Sequence, residues 1–184
     1  TSGKINTGNG ISTSGNVSNQ GTMNTNGDLI VNGNFENNNI VNAGGTLTAK
    51  DVTNTGVLKV SDRIVSRGTT FTNSGEILTE NLDVDVSGNI ISSNQIIVLD
   101  NAKLKGNNIT NQNYISATNM ELITLSLTNS GILAADGVLK ANNAFINNAG
   151  GYIGSNHKVE LNNTNLTNSG TIESASINMG GLSG

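Results

Sequence analysis

One phrase recurs along this chain and limits what it can fold into. It reads Val52-Thr-Asn-Thr-Gly-Val-Leu58, Phe71-Thr-Asn-Ser-Gly-Glu-Ile77, Leu127-Thr-Asn-Ser-Gly-Ile-Leu133 and Leu166-Thr-Asn-Ser-Gly-Thr-Ile172. Looser copies start at Val17, Ile40, Ile109 and Ile146, and a degenerate one surrounds Asn94. The central asparagines, taken as Asn19, Asn42, Asn54, Asn73, Asn94, Asn111, Asn129, Asn148 and Asn168, serve as a ruler. Their spacings are 23, 12, 19, 21, 17, 18, 19 and 20, clustering near 19. Helical repeats of about 33 residues or more and propeller blades of about 40 do not fit this period. A unit of this size holds three short strands and three corners.

Pairs of apolar residues spaced by two flank each phrase: Leu29/Val31, Leu58/Val60, Leu82/Val84, Met120/Leu122 and Val159/Leu161. Alternation by two places one set of side chains on one face of a strand. Many of these residues are β-branched, which favours strands. Asn and Gly tolerate the left-handed backbone of tight corners and are expected to use it here. A unit of three short strands cannot bury its apolar face alone, whereas a stack of such units can. The expected fold is an all-β, right-handed parallel β-helix, about 19 residues per coil, with nine to ten coils. At about 4.8 Å per coil the rod is roughly 45 Å long. The right hand follows the general rule for parallel crossovers.

Composition agrees. The 184 residues suggest one domain, 1–184. Charged residues make up only 12% and the net charge is −4, so the compositional signature of disorder is missing. Asparagine supplies 34 residues, and stacked Asn side chains can bond up and down a column. Proline is absent, as strands paired on both sides require. Cysteine is absent too, which excludes thiol, Cys-zinc and iron–sulfur chemistry. A pI near 4.8 argues against a nucleic-acid partner. No stretch approaches the roughly 20 apolar residues of a membrane helix.

Along the chain, residues 1–18 read as a worn coil or a frayed end. Glu36-Asn-Asn-Asn39 reads as an insert bulging at a corner. Ile90-Ile91 and Ile96-Ile-Val-Leu99 read as a wider core layer or a partly exposed apolar strip, the core being favoured. Met179-Gly-Gly-Leu-Ser-Gly184 lacks a polar cap and Thr1-Ser-Gly looks like the start of an excised segment; both point to a fragment of a longer protein.

The Asn-Ser-Gly-x-Ile corner followed by Leu-x-Val resembles the filamentous haemagglutinin-type repeat. The best matches are Asn54-Thr-Gly56, Asn73-Ser-Gly75, Asn129-Ser-Gly131 and Asn168-Ser-Gly170. The resemblance covers nearly the whole chain, most weakly at 1–18 and 85–110. It implies a large Gram-negative exoprotein of a two-partner secretion system: an adhesin, a haemagglutinin or the stalk of a contact-dependent growth-inhibition toxin. Such proteins pass through an outer-membrane β-barrel transporter and fold at the cell surface or outside the cell. The family's secretion domain carries Asn-Pro motifs, and this chain has no proline, so the resemblance is to the shaft. A monomer is expected; the resemblance names no ligand for the shaft, and a host or target-cell receptor or glycan is a possible partner.

No residue is singled out as catalytic, cofactor-binding or metal-binding, and no cofactor or enzyme activity is expected. His157, the one histidine, falls in a corner and reads as an exposed loop residue. Asp83 and Asp85 alternate with Leu82, Val84 and Val86, so their carboxylates share an outer face. Paired carboxylates serve glycoside hydrolysis or calcium, and many polysaccharide lyases and hydrolases are parallel β-helices; this is the rival reading. Lys59, Arg63 and Arg67 are expected about one coil away, whereas Tyr114 and Tyr152 are far along the rod. The Asn-x-Ser/Thr sites at Asn16, Asn108, Asn162 and Asn165 are the chance yield of an Asn-rich chain. Thr-x-Thr pairs such as Thr46/Thr48 and Thr70/Thr72 do not recur in every coil, so no flat threonine array is expected.

Overall fold

A computed structural model describes residues 2–162 and 165–180. Those residues contain no helix; their 22 strands form one continuous sheet, and the strand pairs are parallel. The chain winds as a β-solenoid of about 10 turns, with about 18 residues in each. One turn shows the plan: Thr22–Thr25 lies on a first face, Leu29–Val31 on a second and Phe35–Asn37 on a third. The next turn repeats it with Ile40–Ala43, Leu47–Ala49 and Val52–Asn54, and corresponding strands pair. Some strands turn a corner without breaking. Val57–Ser66 runs from the first face to the second, with a register shift between Val60 and Arg63. Asn101–Asn111 runs from the second to the third.

The expected inward pairs all lie in the core. Leu29, Val31, Leu58, Val60, Leu82, Val84, Met120, Leu122, Val159 and Leu161 are buried. Three phenylalanines, Phe35, Phe71 and Phe145, are buried behind the third face. Each such side chain contributes roughly 1.5–3 kcal/mol by leaving water. The chain alternates strictly even where its sequence is apolar throughout. Ile96 and Val98 point inward, while Leu99 stands 59% exposed, so Ile96–Leu99 does not widen the core.

The asparagine column is the second structural element, and its membership differs from the sequence ruler. Buried Asn19, Asn37, Asn54 and Asn73 stack at the end of the third face, each Nδ2 donating to the next Oδ1 at 2.8–2.9 Å. After Ser92, the column resumes through Asn111, Asn129, Asn147 and Asn168. Asn42 instead lies on the outer surface of the first face, donating to Asn24. Asn148 lies outside and donates to Ser130 Oγ at 2.8 Å. Asn94 follows the column by two residues, where most turns carry Gly. With these corrections the irregular 23/12 step disappears: Asn19 to Asn37 is 18 residues and Asn37 to Asn54 is 17. Glu36–Asn39 is therefore no bulging insert, because Phe35–Asn37 is a regular strand.

The glycine of the phrase is needed for space rather than for backbone handedness. Among the described residues only Asn143 (φ 73°) and Gly150 (φ 83°) have left-handed φ. A Cβ on Gly75 would lie 2.0 Å from the Gly56 carbonyl oxygen, and one on Gly131 would lie 2.0 Å from that of Asn113. The coils approach so closely at this corner that a hydrogen suits the position best. Asn39 and Asn94 occupy equivalent places and reach back to the preceding coil, donating to Gln20 O and Ser74 O at 3.3 Å. Between Asn147 and Gly151 this corner is longer than elsewhere, and the added length brings in Gly150.

Residues 4–19 complete a coil: Lys4–Thr7, Ile11–Thr13 and Val17–Asn19 pair with the turn above, and Ile5, Ile11 and Val17 pack against the core. Thr1 and residues 181–184 of the C-terminal tail lie outside the described residues, as do Asn163 and Thr164 of the Asn162 sequon.

Candidate functional site

Alternation puts every second residue of each strand on the outer surface, so any function lies in the composition of the three faces. The second face carries most of the charge. Its central outward position reads Asp83, Lys103, Glu121, Lys140 and Glu160 on successive coils, a column that alternates in sign. Lys103 Nζ lies 3.3 Å from Glu121 and Lys140 Nζ lies 3.6 Å from Glu160. Lys158 pairs with the same Glu160. Because like charges opposite each other destabilise a strand pair, sign alternation suits the register seen here.

Asp83 and Asp85 do share this outer face, as their spacing implied, and each is held by a cation. Arg67 pairs with Asp83, and Lys105 Nζ lies 3.0 Å from Asp85 Oδ2. Lys59, Arg63 and Arg67 all lie one coil back, as expected; Arg67 meets Asp83, while Lys59 is on the first face beside Leu78 and Arg63 pairs in register with Asn81. Tyr114 and Tyr152 lie on the first face and frame Ile132, away from the aspartates. Among the described residues no group of three or more His, Asp or Glu is placed to hold a metal ion. His157 turns the corner within Tyr152–Asn162, exposed, with Nδ1 2.6 Å from the Asp136 carbonyl oxygen. That contact places the ring proton on Nδ1.

The pairing at Glu160 has a measurable consequence. The hydrogen bond from Lys158 is the main cause that lowers its pKa below 4.5; partial burial works against it, and the charges of Lys158 and Lys140 add to the lowering. A depressed folded value means that stability from this carboxylate is present above the ordinary glutamate range and lost as pH falls through the folded value. Glu160→Gln should therefore narrow the loss of stability between about pH 5 and 3. Denaturant midpoints for both proteins across that range measure it; identical acid slopes would contradict the assignment.

The first face carries a shallow groove lined by Asn24, Asn42, Lys59, Leu78, Glu80 and Leu99, among others. Two amides, a cation, a carboxylate and two aliphatic side chains therefore meet one open depression. Nothing in the spacing of the sequence indicated it, since its residues come from successive coils about 18 apart.

The third face is different again. Its central outward position is Ser18, Glu36, Thr53, Thr72, Ile91, Thr110, Thr128, Ile146 and Thr167 on successive coils. Threonines recur in single file here, interrupted by Glu36, Ile91 and Ile146, and do not build a flat array of Thr-x-Thr pairs. Of the residues in those pairs only Thr72 belongs to the column, and Thr46/Thr48 lies around the second face. Comparison of the chain with models of protein families, with curated proteins and with solved structures found no match in any of the three.

Proposed function

We propose that this chain is a length of rigid shaft from a secreted, surface-exposed bacterial exoprotein of the filamentous haemagglutinin type, which holds a binding or toxin module away from the cell. The observation that supports this most is the parallel ladder backed by buried asparagines, a construction that extends by repetition along one axis. The phrase Asn-Ser-Gly-x-Ile supplies the likeness to that family, and with it the expectation of a partner transporter in the outer membrane. Adhesin and growth-inhibition-toxin stalks share this role and differ in what the far end carries. On this reading the chain has no catalytic activity of its own.

The experiment is to delete two complete coils in register, residues 93–129, from the full-length exoprotein displayed on cells. The expected result is a fibre shorter by roughly 10 Å in electron micrographs, with target-cell binding or killing retained. Loss of binding with the fibre otherwise intact would sink the shaft reading. A second reading, in which the first-face groove takes an uncharged or acidic glycan through Lys59, Asn24 and Asn42, is tested apart from that deletion, which leaves all three in place. In that case the isolated chain binds a glycan array and Lys59→Ala abolishes the signal.

A further inference from the structure

Every charged side chain between residues 70 and 162 lies on the first or second face or at the corner between them, and none lies on the third. Six successive rungs, from Thr70-Phe-Thr-Asn-Ser74 to Asn165-Leu-Thr-Asn-Ser169, present three outward residues each. All of these are Thr, Ser, Asn, Gln, Ala or Ile. The buried asparagine column lies at the end of these rungs and, except at Ser92, links each to the next. Outward side chains also link rung to rung: Asn108 Nδ2 donates to Asn89 Oδ1 at 2.9 Å. Ile91 and Ile146 stand 37% and 40% exposed in this same column.

From this face we infer that the chain associates side by side with a second copy of itself, third face against third face. Three observations fit a second copy. An uncharged face meets its own duplicate without like-charge repulsion, while along these rungs the charges sit on the faces turned away. Hydroxyls and amides both donate and accept, so such a face is complementary to itself in either orientation. A partner must also repeat at the rung spacing to meet Thr72, Thr110 and Thr128 together, and a second copy of the same solenoid does so. The second face is a poorer candidate, since its ion pairs are already made within the molecule.

The size of the face sets the strength. Six rungs at about 4.8 Å and five residues at about 3.3 Å give roughly 450 Å² per copy. Two copies bury about 900 Å², below the range of stable dimers and in that of transient contacts. A dilute chain is therefore the monomer expected of the shaft. Longer stretches of the same face reinforce one another, because each added rung binds at high effective concentration.

Sedimentation equilibrium on the 184-residue chain tests this. We expect a reversible dimer that survives raised salt, because no charge is involved. Thr72→Lys/Thr110→Lys/Thr128→Lys should weaken it at least tenfold while far-UV circular dichroism stays that of the parent. The protein has no cysteine, so single-cysteine variants give a second readout that needs no loss of folding. Under mild oxidation, Thr110→Cys should cross-link to a dimer and Lys103→Cys, on the second face, should not. A chain that stays monomeric up to about millimolar concentration would overturn the inference. So would association that salt abolishes, or equal cross-linking at both positions. None of these outcomes bears on the shaft reading, which rests on the solenoid and not on its third face.

Discussion

Asn129→Ala should lower stability by about 3–4 kcal/mol, although the side chain touches nothing outside the protein. Its Nδ2 donates to Asn147 Oδ1 at 2.9 Å and to the carbonyl oxygens of Gly131 and Tyr152 at 3.0 Å. Its Oδ1 accepts from Asn111 at 2.8 Å. The residue is fully buried, so water cannot replace these contacts. Removing it leaves Asn147 Oδ1 without its donor in a low-dielectric interior, at a cost of about 1–3 kcal/mol, and forfeits the remaining bonds as well. Asn129→Ser should cost less than Asn129→Ala, because a serine already occupies this column at position 92, where its Oγ donates to Asn94 O at 2.8 Å. Urea denaturation measures the difference, and hydrogen exchange should show the loss concentrated in the coils between residues 111 and 152. If the Asn129→Ala variant proved as stable as its parent, the column would be decoration.

Gly75→Ala should be nearly as damaging, by about 3 kcal/mol, for the opposite reason. Here a methyl group is added where no room exists. The new Cβ would lie 2.0 Å from Gly56 O and 2.6 Å from the Thr55 carbonyl carbon, all backbone. That backbone is not free to move, because Ser74 N, Gly75 N and Glu76 N donate to the coil below at 2.8, 3.1 and 2.8 Å. Overpacking against a locked main chain costs about 1–3 kcal/mol and sometimes more. Gly8→Ala is the control: nothing lies within 4 Å of its Cβ position, and its stability should match the parent's within about 0.5 kcal/mol. If both variants melt together with the parent, the corner is looser than its geometry indicates.

The fold is legible because its signal is local and repeated. Leu58/Val60 and Met120/Leu122 alternate in the sequence as they do in the core, and the Asn-x-Gly corner marks one vertex of most turns. The period can be read too, but not which asparagine keeps it. Asn37, Asn38, Asn39 and Asn42 are close together and chemically equal. What distinguishes Asn37 is a partner 18 residues back and another 17 ahead, Asn19 and Asn54. The same holds at Asn147 and Asn148. Glycine misleads in a different way: its backbone freedom points to left-handed corners, when the requirement is clearance from a neighbouring coil. The surfaces are hardest to read. Spacing alone places Asp83 and Asp85 on one face, but their cations, Arg67 and Lys105, come from the coils on either side. The uncharged stretch of the third face, from Thr70 to Ser169, emerges only when residues about 18 apart are laid over one another.

Ser92 gives the rod a place to yield. Its short side chain interrupts the amide-to-amide spine between Asn73 and Asn111. Across that rung the two halves are joined by main-chain ladder, core and scattered side-chain bonds such as Asn73 Nδ2 to Gln95 O at 3.2 Å. On the proposed shaft reading, load along the axis is expected to open this rung before the stretches on either side, whose amide links are intact.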